Sequence, residues 1–122
     1  MVWLIELDDA VQEWMDSLDA PTYKAVMAAV VVLGREGPSL GRPLVDSITG
    51  SRIANLKELR PSAPGRQSIR LLFVFDPVRS AFFLVGGDKS GDWDKWYKRN
   101  IPVAERRYAA HLRELETRKE QR

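Results

Sequence analysis

Two apolar runs separated by a short turn constrain the fold of this chain more than any other feature. The first run covers residues 69–75, in which every side chain except Arg70 is apolar, and the second covers residues 81–85. The five residues between the runs begin with Asp76-Pro77 and have the composition of a turn. Short, nearly continuous apolar runs are typical of strands that are covered on both faces. The sequence therefore predicts a central β-hairpin with its turn at residues 76–80.

The segment before the hairpin predicts a strand followed by two helices. Residues 3–7 are short and apolar, which favours a strand. Asp8 or Asp9 can cap a first helix, and Pro21 suits the first turn of a second helix that ends at Gly34 or Gly37. Because the connection between them is short, the two helices are expected to form an antiparallel pair.

The remaining segments predict one more strand and a C-terminal helix. Residues 38–52 are rich in Gly, Pro and Ser and are interpreted as a loop, and residues 54–59 as a strand. Residues 94–99 predict a helical turn, and a separate final helix is expected to start near Pro102. Residues 116–122 are almost all charged and are expected to fray.

This order of elements indicates the α+β class. We expect two N-terminal helices packed on a twisted antiparallel sheet of about four strands, plus a C-terminal helix. The 122 residues are enough for one hydrophobic core, so residues 1–122 are expected to form a single domain.

The composition excludes several kinds of chemistry. The chain has no cysteine and one histidine, His111, which excludes disulfides, thiolate catalysis, Cys-rich or His-based metal sites and a ribonuclease that uses two histidines. A lone helical histidine is more often structural than catalytic, and the Asp92 and Asp94 pair lacks a third carboxylate, so no metal or other cofactor is expected.

The longest apolar run, residues 28–33, is far shorter than the roughly 20 residues of a membrane span. The N-terminus has no basic region before its apolar residues and does not resemble a signal peptide. The expected location is the cytoplasm, without membrane association.

Positive charge is concentrated in the second half of the chain. Residues 1–56 carry four basic against eight acidic side chains, a net charge of −4, whereas residues 57–107 carry eleven against six, a net +5. A polyanionic partner and a merely solvated basic face are both compatible with this distribution.

Arg70 is the most informative of the basic residues on the predicted strands. An arginine at the start of an otherwise apolar strand is rarely buried unless it is paired. It can bind a phosphate, or it can form a salt bridge with Asp88 or Glu58. Because the strands of a meander are neighbours, Lys57 and Lys89 can converge with it on one face of the sheet.

An aromatic cluster follows these strands. Trp93, Trp96 and Tyr97 are interleaved with basic residues and could stack nucleobases. Their spacing is also helical, so some of these rings are expected to anchor the core.

The second half of the chain resembles the phage-derived branch of the RelE/HigB toxin family. The resemblance depends on Leu56-Lys57-Glu58-Leu59-Arg60, on residues 70–77 and on Leu84-Val85-Gly86-Gly87-Asp88-Lys89, and it continues through residues 97–112. It implies a RelE-like fold and the toxin of a type II toxin–antitoxin system, most members of which are ribosome-dependent mRNA endonucleases.

The resemblance implies catalytic roles for four residues. Arg70 matches the arginine that opens a strand in the family and would stabilise the phosphoryl charge. In the implied reaction the 2′-hydroxyl attacks its own adjacent phosphate, without a metal. A general base is expected among Lys57, Lys89 and Asp88, since no histidine lies near this site.

RNA contacts are expected from Arg60, Arg66, Trp93 and Tyr97. The implied partners are a helix-turn-helix antitoxin of the HigA type, mRNA and the ribosome. Two alternatives stay open. The first is a ParE-like toxin that inhibits a topoisomerase without cleaving RNA, and the second is a non-catalytic domain that binds nucleic acid or a partner protein.

Overall fold

The computed structural model describes residues 2–121, which form a five-stranded mixed sheet with helices on both faces. In chain order the elements are β1 (Leu4–Leu7), α1 (Asp9–Asp16), α2 (Ala20–Glu36), β2 (Val45–Ser47), β3 (Lys57–Leu59), β4 (Ile69–Phe75), β5 (Ser80–Asp88) and α3 (Asp94–Glu120). The predicted α+β class is confirmed.

The predicted hairpin is the centre of the sheet. The strand order is β1-β5-β4-β3-β2, so β4 is the middle strand of five. β4 and β5 are antiparallel, and the Asp76 amide donates to the Ser80 carbonyl oxygen at 2.8 Å to close the turn. The hairpin at residues 76–80 is therefore confirmed.

The middle strand separates two hydrophobic cores. Leu71 and Phe73 point to the side of α1 and α2, whereas Leu72 and Val74 point to the side of α3. All four side chains are fully buried. The continuous apolar character of β4 follows from this burial on both faces.

The predicted ends of the first two helices agree with the structure. The Asp8 carboxylate caps α1 by accepting from the Ala10 amide at 3.0 Å. The Asp19 carboxylate caps α2 by accepting from the Thr22 amide at 2.9 Å, and α2 ends at Gly37, whose φ is 63°.

The sheet differs from the prediction in strand number and direction. β2 lies inside residues 38–52, which were predicted to be a loop, because this three-residue strand is too short to show an alternating pattern. β1 joins the sheet edge in parallel with β5, so the sheet is mixed rather than antiparallel. A parallel partner leaves no hairpin signal in the sequence because the two strands are distant in the chain.

Two strand boundaries were also wrong. The strand predicted at residues 54–59 is confined to β3, and β5 continues through Gly86 and Gly87 instead of ending at Val85. The glycine pair does not end the strand, because it gives room to the rings of Trp14 and Trp96, which pack against it from opposite faces.

α3 is one continuous helix, although two separate segments were predicted. Pro102 lies inside α3 and removes one backbone hydrogen bond. The helix continues because residues on both sides of the proline, Trp96 and Ala104, are buried in the same core. α3 extends as far as Glu120, and Arg122 lies outside the described residues. Within residues 2–121, no helix combines the length and the apolar character that a membrane span requires.

Candidate active site

Basic residues meet where three strands lie side by side at one end of the sheet. Arg60 directly follows β3, and the register between β3 and β4 places it opposite Arg70. Arg70 pairs with Gly87 of β5, and Lys89 lies two residues further along on the same face. Arg70 also shares its face with Leu72, which packs toward α3. Arg60, Arg70 and Lys89 therefore form a basic row on the α3 face of the sheet.

A cavity of about 310 Å³ opens beside two members of the basic row, Arg60 and Arg70. Its other lining residues are Pro43, Leu44, Pro61 and Ser62. A larger cavity of about 710 Å³ lies between β1 and the C-terminal half of α3, and none of the predicted site residues lines it.

The guanidinium of Arg70 has one donor, its Nε, that no protein group accepts. Its Nη1 donates to the Ile69 carbonyl oxygen at 2.8 Å, and its Nε is buried without a hydrogen-bond partner. Among the described residues, Arg70 forms no ion pair with Asp88 or Glu58. A buried donor without an acceptor costs about 1–3 kcal/mol, so this nitrogen lowers the stability of the fold as it stands.

Lys89 is held between two aromatic rings. Its Nζ lies 5.2 Å from the centre of the Trp93 ring and 5.1 Å from that of Tyr97, so both rings make cation–π contacts. The Trp93 side chain is 59% exposed. One ring therefore both holds Lys89 and offers a surface on which a nucleobase can stack.

The surroundings of Lys89 lower its pKa. Partial burial contributes most, and the positive charges of Arg70 and Arg60 act in the same direction. Glu58 and Asp94 act in the opposite direction and do not compensate. The three cations of the basic row are thus close enough to repel one another.

A buried carboxylate lies next to the basic row. Glu58 is 6% exposed, its Oε2 accepts from the Tyr97 hydroxyl at 2.6 Å, and its Oε1 lies 3.9 Å from Arg60 Nε. Burial, together with the hydrogen bond and the charge of Glu58, raises the pKa of Tyr97 to about 12, although Arg70 acts in the opposite direction. Tyr97 is therefore a neutral hydrogen-bond donor at physiological pH.

Sequence reasoning considered Glu58 only as a possible partner of Arg70. The sequence signal for a role of Glu58 was its position in a strand predicted to be covered by other elements. A carboxylate buried there requires a partner. Its partner, Tyr97, lies 39 residues away on another element, and only the packing of α3 on the sheet brings the two together.

Two predicted residues lie apart from the basic row. Lys57 precedes Glu58 on β3, and neighbouring side chains of a strand point to opposite faces of the sheet. Lys57 therefore shares the face of Leu59, on the side of α1 and α2. Arg66 is exposed in the loop between β3 and β4.

Asp88 is close to the basic row, but one oxygen of its carboxylate, Oδ1, is already engaged. It accepts from the backbone amides of Ser68 and Ser90, each at 2.9 Å. Partial burial acts to raise the pKa of Asp88, but these hydrogen bonds and the charge of Arg70 outweigh it and hold the pKa below its ordinary value. A carboxylate of this kind supports the loop rather than accepting a proton near neutral pH.

His111 lies far from the basic row. Its Nε2 is 2.7 Å from Asp76 Oδ2, and both side chains are buried. Asp76 follows the last residue of β4 and Arg70 is near the first, so about 20 Å of extended strand separates the two sites. His111 thus occupies a structural position at the other end of the sheet.

The chain was compared with protein families and with known proteins. Residues 13–109 match the family described as "Phage derived protein Gp49-like (DUF891)". The chain is 45% identical over 120 residues to a protein of Mycobacterium tuberculosis named "Putative toxin HigB2", covering 98% of this chain and 59% of that protein. It is 47% identical over 97 residues to "Putative toxin HigB3" of the same organism, covering 80% of this chain and 82% of that protein. The chain thus spans less than two thirds of the length of HigB2.

A solved structure of the E. coli toxin RelE, a double-alanine mutant in the free state, matches the fold with a TM-score of 0.60. The match covers 80% of this chain and 93% of that chain at 12% identity, so it concerns the fold alone. The expected RelE-like fold is confirmed. With the family match over residues 13–109 and the identity to both mycobacterial proteins, the chain belongs to the phage-derived Gp49-like family, in its HigB branch.

Proposed function

We propose that this chain is the toxin of a type II toxin–antitoxin pair and that it cleaves mRNA on the ribosome. The observation that carries the proposal is the basic row, in which the pairing of β3, β4 and β5 brings Arg60, Arg70 and Lys89 to one face of the sheet. The names of the two mycobacterial relatives and the RelE-like fold support the same function.

The proposed reaction is an internal transfer within RNA. The 2′-oxygen loses its proton and bonds to the adjacent phosphorus, and the bond from phosphorus to the 5′-oxygen of the next nucleotide breaks. The leaving 5′-oxygen takes up a proton. The products are a 2′,3′-cyclic phosphate and a free 5′-hydroxyl, and no oxidant or other co-reactant is consumed.

The basic row suits the charge that develops in this reaction. Negative charge accumulates on the phosphoryl oxygens in the transition state, and positioned cations stabilise it electrostatically. Arg70 is fixed by the pairing of β4 and offers a planar fork of donors, which matches a phosphate better than a point charge does. Arg60 and Lys89 flank it, and the exposed ring of Trp93 can stack a neighbouring base.

The proposed partner is a helix-turn-helix antitoxin that holds the toxin inactive. The net charge of +5 in residues 57–107 favours an acidic or amphipathic segment of that antitoxin as the contact. A short helix-turn-helix protein encoded next to this chain is the expected source.

Induced expression in bacteria, followed by mapping of transcript 5′ ends, tests the proposal. The wild type should arrest growth and produce new 5′-hydroxyl ends within translated mRNA. Purified protein should cleave the same transcripts when they are being translated and not when they are free.

Arg70→Ala should lower the cleavage rate by about 10²–10³, the usual effect of removing one donor to a developing oxyanion. Arg70→Lys should recover little of that loss, because an ammonium cannot replace the guanidinium fork. Lys24→Ala, which removes an exposed cation from α2, is the matched control and should cleave normally. Lys57→Ala tests whether the cation on the opposite face contributes.

Two results would contradict the proposal. A folded Arg70→Ala protein that cleaves at the wild-type rate would exclude Arg70 from the mechanism. Growth arrest without any new RNA ends, together with loss of topoisomerase activity, would favour the ParE-like alternative.

A further inference from the structure

The cavity beside Arg60 and Arg70 has walls of two different kinds. We call it the proline cavity, and it is lined by Pro43, Leu44, Arg60, Pro61, Ser62 and Arg70. The two prolines and Leu44 give it an apolar wall. The two arginines give it a wall of hydrogen-bond donors, which cannot accept. A ligand that suits both walls therefore has an apolar surface and an edge that carries acceptors.

The fold holds these walls in place without a ligand. The Arg60 amide donates to the Leu44 carbonyl oxygen at 2.8 Å, which extends the pairing of β2 with β3 and joins the two segments that carry the prolines. The turn that contains Pro43 is closed by the Val45 amide, which donates to the Gly41 carbonyl oxygen at 3.1 Å. A preformed cavity of this kind loses little conformational freedom when a ligand binds.

The guanidinium of Arg60 has donors left for a ligand. Its side chain is 34% exposed, and its ion pair with Glu58 is long, 3.9 Å between Nε and Oε1. In the described part of the chain, no side chain accepts a hydrogen bond from it. A guanidinium presents its N–H groups as a planar fork, which matches two adjacent acceptors.

A nucleobase suits the proline cavity better than a phosphate does. A phosphate has acceptor oxygens on every side, and the apolar wall would leave some of them without a donor. A nucleobase has two apolar faces and one polar edge. Cavities that hold small ligands begin at about 300 Å³. The proline cavity, at about 310 Å³, is close to this lower limit, so it has room for a single base rather than for a folded segment of a protein.

The proline cavity is adjacent to the proposed phosphate site. Arg70 belongs both to the lining of the cavity and to the basic row, so a phosphate bound by Arg70 lies at the cavity entrance. Trp93 lies at the other end of the basic row, against Lys89. Bases on the two sides of the bound phosphate thus have separate surfaces, one in the cavity and one on the Trp93 ring.

We infer that the proline cavity binds one unstacked base of the mRNA beside the scissile phosphate and that Arg60 selects guanine there. This inference rests on the proposed function and adds a sequence preference to it. Guanine presents N7 and O6 as two adjacent acceptors, which an arginine fork contacts together, whereas adenine presents a donor beside its N7. Proteins read single-stranded RNA in this way when a base is turned out of the stack. Arg70 then contacts the phosphate, and Arg60 contacts the base.

The experiment maps transcript 5′ ends after induced expression of the wild type and of two variants, and it compares the bases on both sides of each cut with the composition of the transcripts. Arg60→Lys keeps the positive charge and removes the planar fork. Ser62→Trp places a large ring at the mouth of the cavity, and Ser62 is exposed, so the core is not disturbed. Arg35→Lys on α2 and Thr117→Trp on α3, both at exposed positions, are the matched controls.

The wild type and both controls should favour guanine at one fixed position next to the cut. The preference over other bases should be about 5- to 150-fold, the discrimination of one bidentate pair. Arg60→Lys should lose most of this preference and still cleave, because a positive charge remains beside the phosphate. Ser62→Trp should also lose it, and the purified variant should need a higher concentration for half-maximal cleavage of a translated mRNA. Circular dichroism checks that both variants are folded.

A wild type that cleaves translated mRNA without a base preference would overturn the base site while leaving the proposed function intact. The same holds for a preference that folded Arg60→Lys and Ser62→Trp proteins both retain. A fixed preference for a base other than guanine would overturn the selection by Arg60. If the wild type produces no new RNA ends, the proposed function fails, and the base site fails with it.

Discussion

At the scale of single residues, the glycine pair in β5 shows how tightly this sheet is covered. Gly86 faces the ring of Trp14 and Gly87 faces the ring of Trp96, on opposite faces of one strand. A Cβ at Gly87 would lie 2.7 Å from Trp96 Nε1, and one at Gly86 would lie still closer to the Trp14 ring. Both glycines are therefore required by packing rather than by backbone conformation.

Gly86→Ala should lower the free energy of unfolding by about 1–3 kcal/mol, because the added methyl group collides with a rigid ring rather than a flexible chain end. Gly86 faces away from the basic row, so the effect should be on stability and not on the site. Urea unfolding measures the loss. Gly41→Ala is the control, since nothing lies within 4 Å of its Cβ position, and an equal loss in both variants would contradict the explanation.

Tyr97 should be among the last tyrosines to ionise in the folded protein, with a pKa of about 12 against an ordinary value of 10.0. Because folding raises this pKa, the neutral Tyr97 stabilises the fold below about pH 10, and this contribution is lost as the pH rises through about 12. An absorbance titration of phenolate should lose its step near pH 12 in Tyr97→Phe. Loss of a step near pH 10 instead would show that the burial of Tyr97 and its hydrogen bond with Glu58 do not hold in solution.

At the scale of elements, a buried polar contact joins α3 to the turn of the central hairpin. Asp76 Oδ1 accepts from the Val78 and Ser80 amides, and Asp76 Oδ2 lies 2.7 Å from Nε2 of His111 on α3. The His111 ring stacks on Phe82 with 3.7 Å between ring centres. His111, the single histidine of the chain, thus links α3 to the turn of the central hairpin.

His111→Phe keeps an aromatic ring against Phe82 but leaves Asp76 without its side-chain partner. The free energy of unfolding should fall by about 1–3 kcal/mol, the usual cost of a buried group that loses its hydrogen bond. RNA cleavage by the folded fraction should persist, because the contact and the basic row are at opposite ends of β4. Arg113→Ala, exposed on the same helix, should leave stability unchanged. Loss of cleavage in a fully folded His111→Phe protein would place His111 in the mechanism.

The sequence predicted those elements whose signals are local. The apolar runs of β4 and β5, the caps at Asp8 and Asp19 and the position of Arg70 at the head of a strand could all be interpreted from neighbouring residues. The parallel pairing of β1 and the contact between Glu58 and Tyr97 could not, because each joins distant segments and is decided by packing. Pro102 led to the wrong prediction of a helix boundary, because the effect of a proline is judged from its neighbours in sequence. Residues before and after Pro102 pack into the same core, and this packing keeps α3 continuous.

At the scale of the whole molecule, charge is distributed unevenly, and this bears on the proposed antitoxin. Residues 1–56 carry a net −4 and residues 57–107 a net +5. Complementary charge on a partner increases the association rate and fixes orientation, and salt weakens both effects.

Arg66→Glu should weaken the complex with the proposed helix-turn-helix antitoxin, because it reverses an exposed charge in the basic part of the molecule. The difference from the wild type should be largest at low salt and shrink as salt increases. Lys24→Glu, in the acidic part, is the control and should bind normally. Equal affinity of Arg66→Glu and the wild type at low salt would exclude this part of the surface.

The parallel pairing of β1 with β5 has a consequence for synthesis of the chain. Glu6 and Ser80 share a hydrogen bond although they are 74 positions apart, so β1, the first of the five strands to be synthesised, must wait for β5, the last of them. The helices between them contain local contacts and can form early, whereas distant strand pairing is slow. The segments that carry Arg60, Arg70 and Lys89 pair with one another in β3, β4 and β5, and the last of these strands is also the partner of β1. A chain whose synthesis has not passed β5 therefore has neither a complete basic row nor a parallel partner for β1, so the candidate site and the sheet edge both depend on the same strand.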